Sequence, residues 1–310
     1  FKARQLSLDR IVAIKVLPRK LGENQEFVER FYKEGKAAAR LNHNNIVQAI
    51  DVGNAGEYHY FVMEYIEGKT VYDDLAAGKI YSEKDALDLV IQVARALEHA
   101  AERGFVHRDV KPKNIMLTMQ NVAKLADMGL ARETADVKAA VAEAGRAYGT
   151  PYYICPEQIR GEVSIDFRAD IYSLGATLYH MVTGKVPFEG STPAAVMHKH
   201  LKEPLVPPDH IVPTLSTGLG EVIECMMAKN RDDRYSSMSD LLADLQRVAR
   251  GEPPLQARRK DDAKLLESLA DGSDEEDQPA VASGRGELTT SGVPLVWVFI
   301  LGVMLALSAI

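Results

Sequence analysis

The sequence predicts an α+β chain, with strands gathered towards its front and helices behind. Three observations carry that prediction. Short apolar runs with strand alternation lie at Ile11 to Leu17 and Tyr60 to Ile66. Longer stretches, Glu23 to Leu41 and Ser82 to Gly104, repeat apolar residues at spacings of three and four. A polar loop, His107 to Asn114, separates the second of these from the apolar run Ile115 to Leu117. At 310 residues the chain holds one two-lobed domain or two small ones. Hydrophobic content of 46% and charged content of 26% are those of a globular protein. The net charge of −7 supplies no basic field, which argues against a nucleic-acid partner. Cys155 and Cys225 cannot build a disulfide framework and read as thiols in a reducing compartment.

Phe1 to Ala3 and Ile11 to Leu17 read as strands joined by a polar turn at Ser7 to Arg10. Side chains alternate in a strand, so Ala13 and Lys15 share one face while Val12, Ile14 and Val16 enter a core. A lysine on the inner face of a small sheet needs an anionic partner. In the helix that follows, Phe27, Phe31, Glu34, Ala38 and Leu41 share a face, and a glutamate inside that stripe also needs a partner. Tyr60 to Ile66 is a further strand, leading to Glu67-Gly68. Ser82 and Asp85 form a capping box for a helix buried through Leu87, Val90, Ile91, Ala94 and Leu97 and closed by Gly104. Asp170 to Thr183, mostly apolar with Gly175 inside, is a buried helix, and Gly251 closes the last domain helix.

The loop His107-Arg108-Asp109-Val110-Lys111-Pro112-Lys113-Asn114 concentrates chemistry. Asp109 can accept a proton, Lys111 can neutralise an anion, and the amide oxygen of Asn114 can ligate a hard cation. The loop resembles the H-R-D-x-K-P-x-N catalytic loop of serine/threonine protein kinases. Val12-Ala13-Ile14-Lys15 resembles the V-A-I-K strand of that family. Asp127-Met128-Gly129 resembles its D-F-G with Met for Phe, and Cys155-Pro156-Glu157 its A-P-E with Cys for Ala. The motifs occur in family order, and the resemblance runs from residue 1 to about residue 250. It is to the bacterial, transmembrane branch of the eukaryotic-like kinases.

That resemblance implies a two-lobed protein kinase fold, with a small β-rich lobe carrying helix C and a larger helical lobe. It implies ATP and Mg²⁺ as cofactors and protein Ser/Thr hydroxyls as acceptors. Asp109 would orient the acceptor hydroxyl and take its proton, and Lys111 would hold the γ-phosphate. Lys15, paired with Glu34, would hold the other phosphates, and Asn114 and Asp127 would ligate the metal. The adenine would lie between Ala13 and Met116, beyond the gatekeeper Met63, against the backbone of Glu64 to Ile66. Asp170 would brace the catalytic loop, and Arg234 would pair with Glu157. Lys111-Pro112 and Gly149-Thr150-Pro151 place the chain with the serine/threonine class. The family's glycine-rich loop would precede residue 1, so the chain reads as a fragment whose Phe1-Lys2-Ala3 ends the strand after that loop. Met128 has the reach to replace the usual Phe.

The expected layout is a small lobe at 1–66, a larger lobe at 67–250, a disordered acidic juxtamembrane linker at 251–292 and a transmembrane helix at 293–310. Val293 to Ile310 holds 18 residues without a charge. At about 1.5 Å per residue they span about 27 Å, near the roughly 30 Å hydrocarbon core. The catalytic part is then cytoplasmic, on a single-pass anchor in the cell membrane, with protein substrates and a homodimer as expected partners. Between Asp127 and Glu157 the hydroxyl side chains are Thr134, Tyr148, Thr150, Tyr152 and Tyr153, with none in Ala142 to Ala147. Glu143 reads either as a solvated loop charge or as a fixed carboxylate for Arg108, and in the second case control falls to membrane clustering. The alternative function is a pseudokinase scaffold. The full set Lys15, Glu34, Asp109, Asn114 and Asp127 argues against it, and Gly149-Thr150-Pro151 with Cys155-Pro156-Glu157 argues against a small-molecule phosphotransferase.

Overall fold

The computed structural model describes residues 1–127, 132–133 and 151–260, apart from the side chains of residues 30, 34, 132 and 133. Met128, Gly129, Thr134, Glu143, Thr150 and the apolar stretch 293–310 lie outside the described residues.

The small lobe is an antiparallel sheet of β1 (Lys2–Gln5), β2 (Arg10–Val16), β3 (Ala49–Ala55) and β4 (Tyr58–Glu64), in the order β1-β2-β4-β3. The register sets Ala13 opposite Met63 and Lys15 opposite Phe61. The short α1 (Arg19–Gly22) leads into α2 (Gln25–Ala38). Asn24 starts α2 by accepting from the Glu26 amide at 2.9 Å, so the helix begins two residues after the expected Glu23.

Beyond the crossing come β5 (Gly68–Thr70), α3 (Val71–Ala76) and α4 (Glu83–Glu102). Ser82 caps α4 by accepting from the Asp85 amide at 3.1 Å. The Asp85 carboxylate takes the Ser82 hydroxyl at 2.8 Å, so only one half of the expected box follows the usual pattern. After β6 (Phe105–Val106) and the catalytic-loop segment, β7 (Ile115–Thr118) pairs with β5 and with β8 (Ala123–Leu125).

Helices α5 (Pro156–Ile159), α6 (Arg168–Thr183), α7 (Pro193–Lys202), α8 (Pro208–Ile211), α9 (Thr217–Met226) and α10 (Met238–Ala249) complete the larger lobe. Helix α6 is buried almost all round, so its sequence lacks an apolar stripe and reads as a nearly continuous apolar run. Gly175 lets α9 approach it: a Cβ there would meet the Met226 Cβ at 2.8 Å. Cys155 and Cys225 lie in the core as thiols, outside any disulfide.

The chain does not leave this lobe at Gly251, where the linker was expected to start. Pro254 and Ala257 are buried, and the Asp244 carboxylate accepts from the amides of Leu255 (2.7 Å), Gln256 (2.9 Å) and Ala257 (2.9 Å). Three N–H donors on one buried carboxylate hold the strap that Pro253-Pro254 makes stiff. Among the described residues, no helix is long and apolar enough to cross a membrane.

Candidate active site

The catalytic-loop residues sit between two supports. Behind them, Asp170 in the first turn of α6 accepts from the His107 amide at 2.8 Å and the Arg108 amide at 2.7 Å. Burial pushes the Asp170 carboxyl up, while His107 and the two amide bonds pull it back towards the anion. That pair of bonds holds Arg108 at φ 67°, a left-handed conformation costly for a long side chain. Below them, His107 Nδ1 accepts from the Asp109 amide at 3.2 Å, and its Nε2 lies 3.1 Å from the Ala126 carbonyl. His107 is fully buried and ties the loop to the chain just before Asp127.

On this frame three polar side chains converge. Lys111 Nζ donates to Asp109 Oδ2 at 2.6 Å, and Asn114 Nδ2 donates to the Asp109 carbonyl at 2.8 Å and to Oδ2 at 3.0 Å. The 3₁₀ turn Pro112–Asn114 folds Asn114 back, and its buried amide spends its N–H groups on Asp109. Its Oδ1 accepts no bond among the described residues, which leaves an oxygen for a hard cation.

Across the cleft, Lys15 forms an ion pair with Asp127. Asp127 has φ 61°, a left-handed conformation that aspartate tolerates better than most residues. Glu34, the partner that Lys15 was expected to take, lies on α2, but its side chain lies outside the described residues. The two halves enclose a cavity of about 330 Å³ lined by Lys15, Phe31, Phe61, Met63, Asp109 and Asp127. Met63 lines this space near the end of β4, and beyond it Tyr65 and Ile66 form a crossing between β4 and β5 and join neither strand. Glu64 is held by Lys124 at 3.0 Å, Ala13 lies on β2, and Met116 lies on β7 opposite Thr70 and Lys124.

Further out, Arg234 and Glu157 form a buried bidentate pair at 2.6 and 2.9 Å. Burial works to raise the Glu157 carboxyl, but the Arg234 hydrogen bonds overcome it and hold the group below its ordinary range. Sequence reasoning did not find the buried Asp74, which gathers Lys69, Lys79 (3.1 Å) and the Tyr81 hydroxyl (2.7 Å) beside the cleft. No motif announces it; Asp73 and Asp74 are adjacent acids in the first turn of α3, and nothing in the sequence says which of them is buried.

The "protein kinase domain" family model matches residues 1–244. The chain belongs to the protein kinase family. Its curated relatives include the serine/threonine-protein kinase PknB of Mycobacterium tuberculosis, 40% identical over 275 residues. That match covers 86% of this chain and 44% of the relative. A probable serine/threonine-protein kinase of Clostridium perfringens is 39% identical over 248 residues, covering 80% of this chain and 36% of the relative. The chain thus spans less than half the length of these relatives. Among solved structures, the Mycobacterium tuberculosis PknI kinase domain superposes with a TM-score of 0.64 at 26% identity, covering 80% of this chain and 89% of that one. The two-lobed kinase fold expected from the motifs is the fold observed.

Proposed function

We propose that this chain is the catalytic part of a membrane-anchored serine/threonine protein kinase. The observation that carries the reading is the convergence of Lys111 and Asn114 on Asp109, on a loop whose backbone is clamped by the buried Asp170. Phosphoryl transfer needs positioned charges more than covalent help from the protein. Asp109 accepts the proton of the acceptor hydroxyl, and Lys111 holds its carboxylate in place and faces the transferred charge. Asn114 and Asp127 fit Mg²⁺ because both offer hard oxygens and no competing soft ligand. ATP supplies the phosphoryl group. Lys15, with Glu34, takes its phosphates, and Ala13, Met116 and the backbone of Glu64 to Ile66 frame its adenine next to Met63.

One observation favours a scaffold instead: the Lys15–Asp127 pair joins the phosphate-binding lysine to the metal-binding carboxylate. Both side chains are nearly half exposed, and an ion pair of that kind contributes about 0–1 kcal/mol. Exchange for phosphate and metal is therefore cheap, and the pair does not outweigh the complete charged set. The apolar stretch 293–310 serves as the anchor, on the cytoplasmic side of which residues 1–292 lie.

The test is transfer of labelled phosphate from ATP to protein substrates by wild type and Asp109→Asn. The expected result is a loss of turnover of at least about a hundredfold with nucleotide affinity within about twofold. Asp127→Asn should instead weaken Mg²⁺-dependent nucleotide binding. Wild-type transfer no faster than that of Asp109→Asn would establish the scaffold reading.

A further inference from the structure

We propose that Lys113 is a specificity residue that selects an acidic side chain close to the acceptor hydroxyl of a protein substrate. This rests on the kinase reading above and adds a substrate class to it. Lys113 is the exposed middle residue of the turn Pro112–Asn114, and its ammonium sits 4.4 Å above the Tyr72 ring of α3. Five other lysines are neutralised: Lys15 by Asp127, Lys111 by Asp109, Lys69 and Lys79 by Asp74, and Lys124 by Glu64; Lys2, on β1, lies 4.6 Å above the Tyr65 ring of the crossing. Among the described residues, Lys113 has no carboxylate within ion-pair distance. The nearest acid in sequence to its aromatic platform, Asp73, is committed elsewhere. It accepts from the Thr70 amide at 2.7 Å and the Thr70 hydroxyl at 2.8 Å.

The position suits a substrate contact. Lys113 lies four residues after Asp109, so their Cα atoms are at most about 13 Å apart. An extended peptide advances about 3.3 Å per residue, which places a side chain within about three residues of the acceptor in reach of the ammonium. The stretch after Cys155-Pro156-Glu157 is tied to the same loop: Gln158 Nε2 donates to the Arg108 carbonyl at 2.9 Å, which holds that stretch against the loop that carries Lys113. The aromatic face limits the rotamers of Lys113 and leaves N–H donors outward, which lowers the entropy lost on capturing a carboxylate. The chain carries a net charge of −7, so its long-range field repels acidic peptides. With a Debye length of about 8 Å at ~0.15 M salt, only a local contact survives, and that contact is Lys113.

The experiment measures binding of three series of extended peptides at about 0.15 M salt. Each has Ala in place of the acceptor and Glu, Gln or Arg at single positions within three residues of it. Wild type should bind one Glu peptide about three- to fivefold tighter than its Gln counterpart, the scale of one exposed ion pair. Lys113→Ala should abolish the difference, and Lys113→Glu should reverse it in favour of Arg, with thermal midpoints checking that each variant folds. Equal binding of all three series to wild type, or a Glu preference that persists in Lys113→Glu, overturns the proposal. Phosphate transfer to the matching Ser and Thr peptides is measured in parallel. Transfer no faster than in Asp109→Asn, with the binding preference intact, would refute the kinase reading and leave the acidic-peptide site standing.

Discussion

At the residue scale, two buried acids show how this fold spends charge. Asp170 and Glu157 are both almost fully buried, yet each is surrounded by donors: two amides for Asp170, one bidentate guanidinium for Glu157. Arg234 completes its set with the carbonyls of Ala228 (2.9 Å) and Arg168 (2.8 Å), so all three guanidinium nitrogens of this fully buried ion have partners. Removing one partner strands the other. Glu157→Gln should cost about 3–5 kcal/mol of stability, whereas Arg234→Met with Glu157→Met should cost less than the two single changes added. Urea unfolding of wild type, Glu157→Gln, the two Met single variants and the Met double variant checks this; additive losses for the Met changes would show that the pair is not coupled.

At the element scale, helix α7 is fastened by an unlikely residue. His200 is fully buried, with Nδ1 2.8 Å from the Tyr172 hydroxyl of α6 and its ring against Phe188. Burial first, and the nearby Lys229 second, pull its pKa down to about 3. The folded ring is therefore neutral across the working range, while the unfolded ring takes a proton near pH 6.5. The stability tied to this neutral ring is present above about pH 6.5 and is lost as pH falls towards about 3. Between pH 6.5 and 5 that amounts to about 2 kcal/mol. His200→Gln should flatten the dependence of the melting midpoint on pH across that interval. An unchanged slope would show that other groups account for acid sensitivity. The sequence offered His200 as one of eight histidines, with no motif around it.

At the scale of the whole domain, the lobes share more than the crossing at Tyr65 and Ile66. The loop after α2 is fastened to the larger lobe: the Leu125 amide donates to the Asn45 carbonyl at 2.8 Å, and the Val47 amide donates to the Leu125 carbonyl at 2.9 Å. Asn45 Nδ2 adds a bond to the Ala123 carbonyl at 2.8 Å. The loop that follows α2 is thus anchored to the larger lobe. At the far side of the domain, Asp244 does the equivalent for the chain's exit. Asp244→Ala should release residues 253–257, seen as faster amide exchange at Leu255 to Ala257 and earlier tryptic cleavage after Arg258. It should also cost about 2–4 kcal/mol, as the Tyr235 hydroxyl and three strap amides lose one acceptor. Unaltered exchange there would mean that Pro254 and Ala257 hold the strap by packing alone.

Much of this could be read from one dimension. Strand alternation placed Lys15 beside Ala13, three-and-four spacing placed α2 and α4 to within a few residues, and four ordered motifs identified the family. These are properties of local period and chain order, which the sequence carries directly. Partner choice is different, because it depends on which surfaces packing brings within a few ångströms. Lys15 meets Asp127, 112 residues away, and Asp244 holds a strap that composition assigns to a linker. Lys113 lies over Tyr72, 41 positions earlier by the numbering, and nothing in the spacing of either residue marks the pair. The side chains that could do chemistry were written in the sequence; which charges are cancelled, and which lie over an aromatic ring instead, was decided only when the lobes, α3 and the catalytic loop were folded against each other.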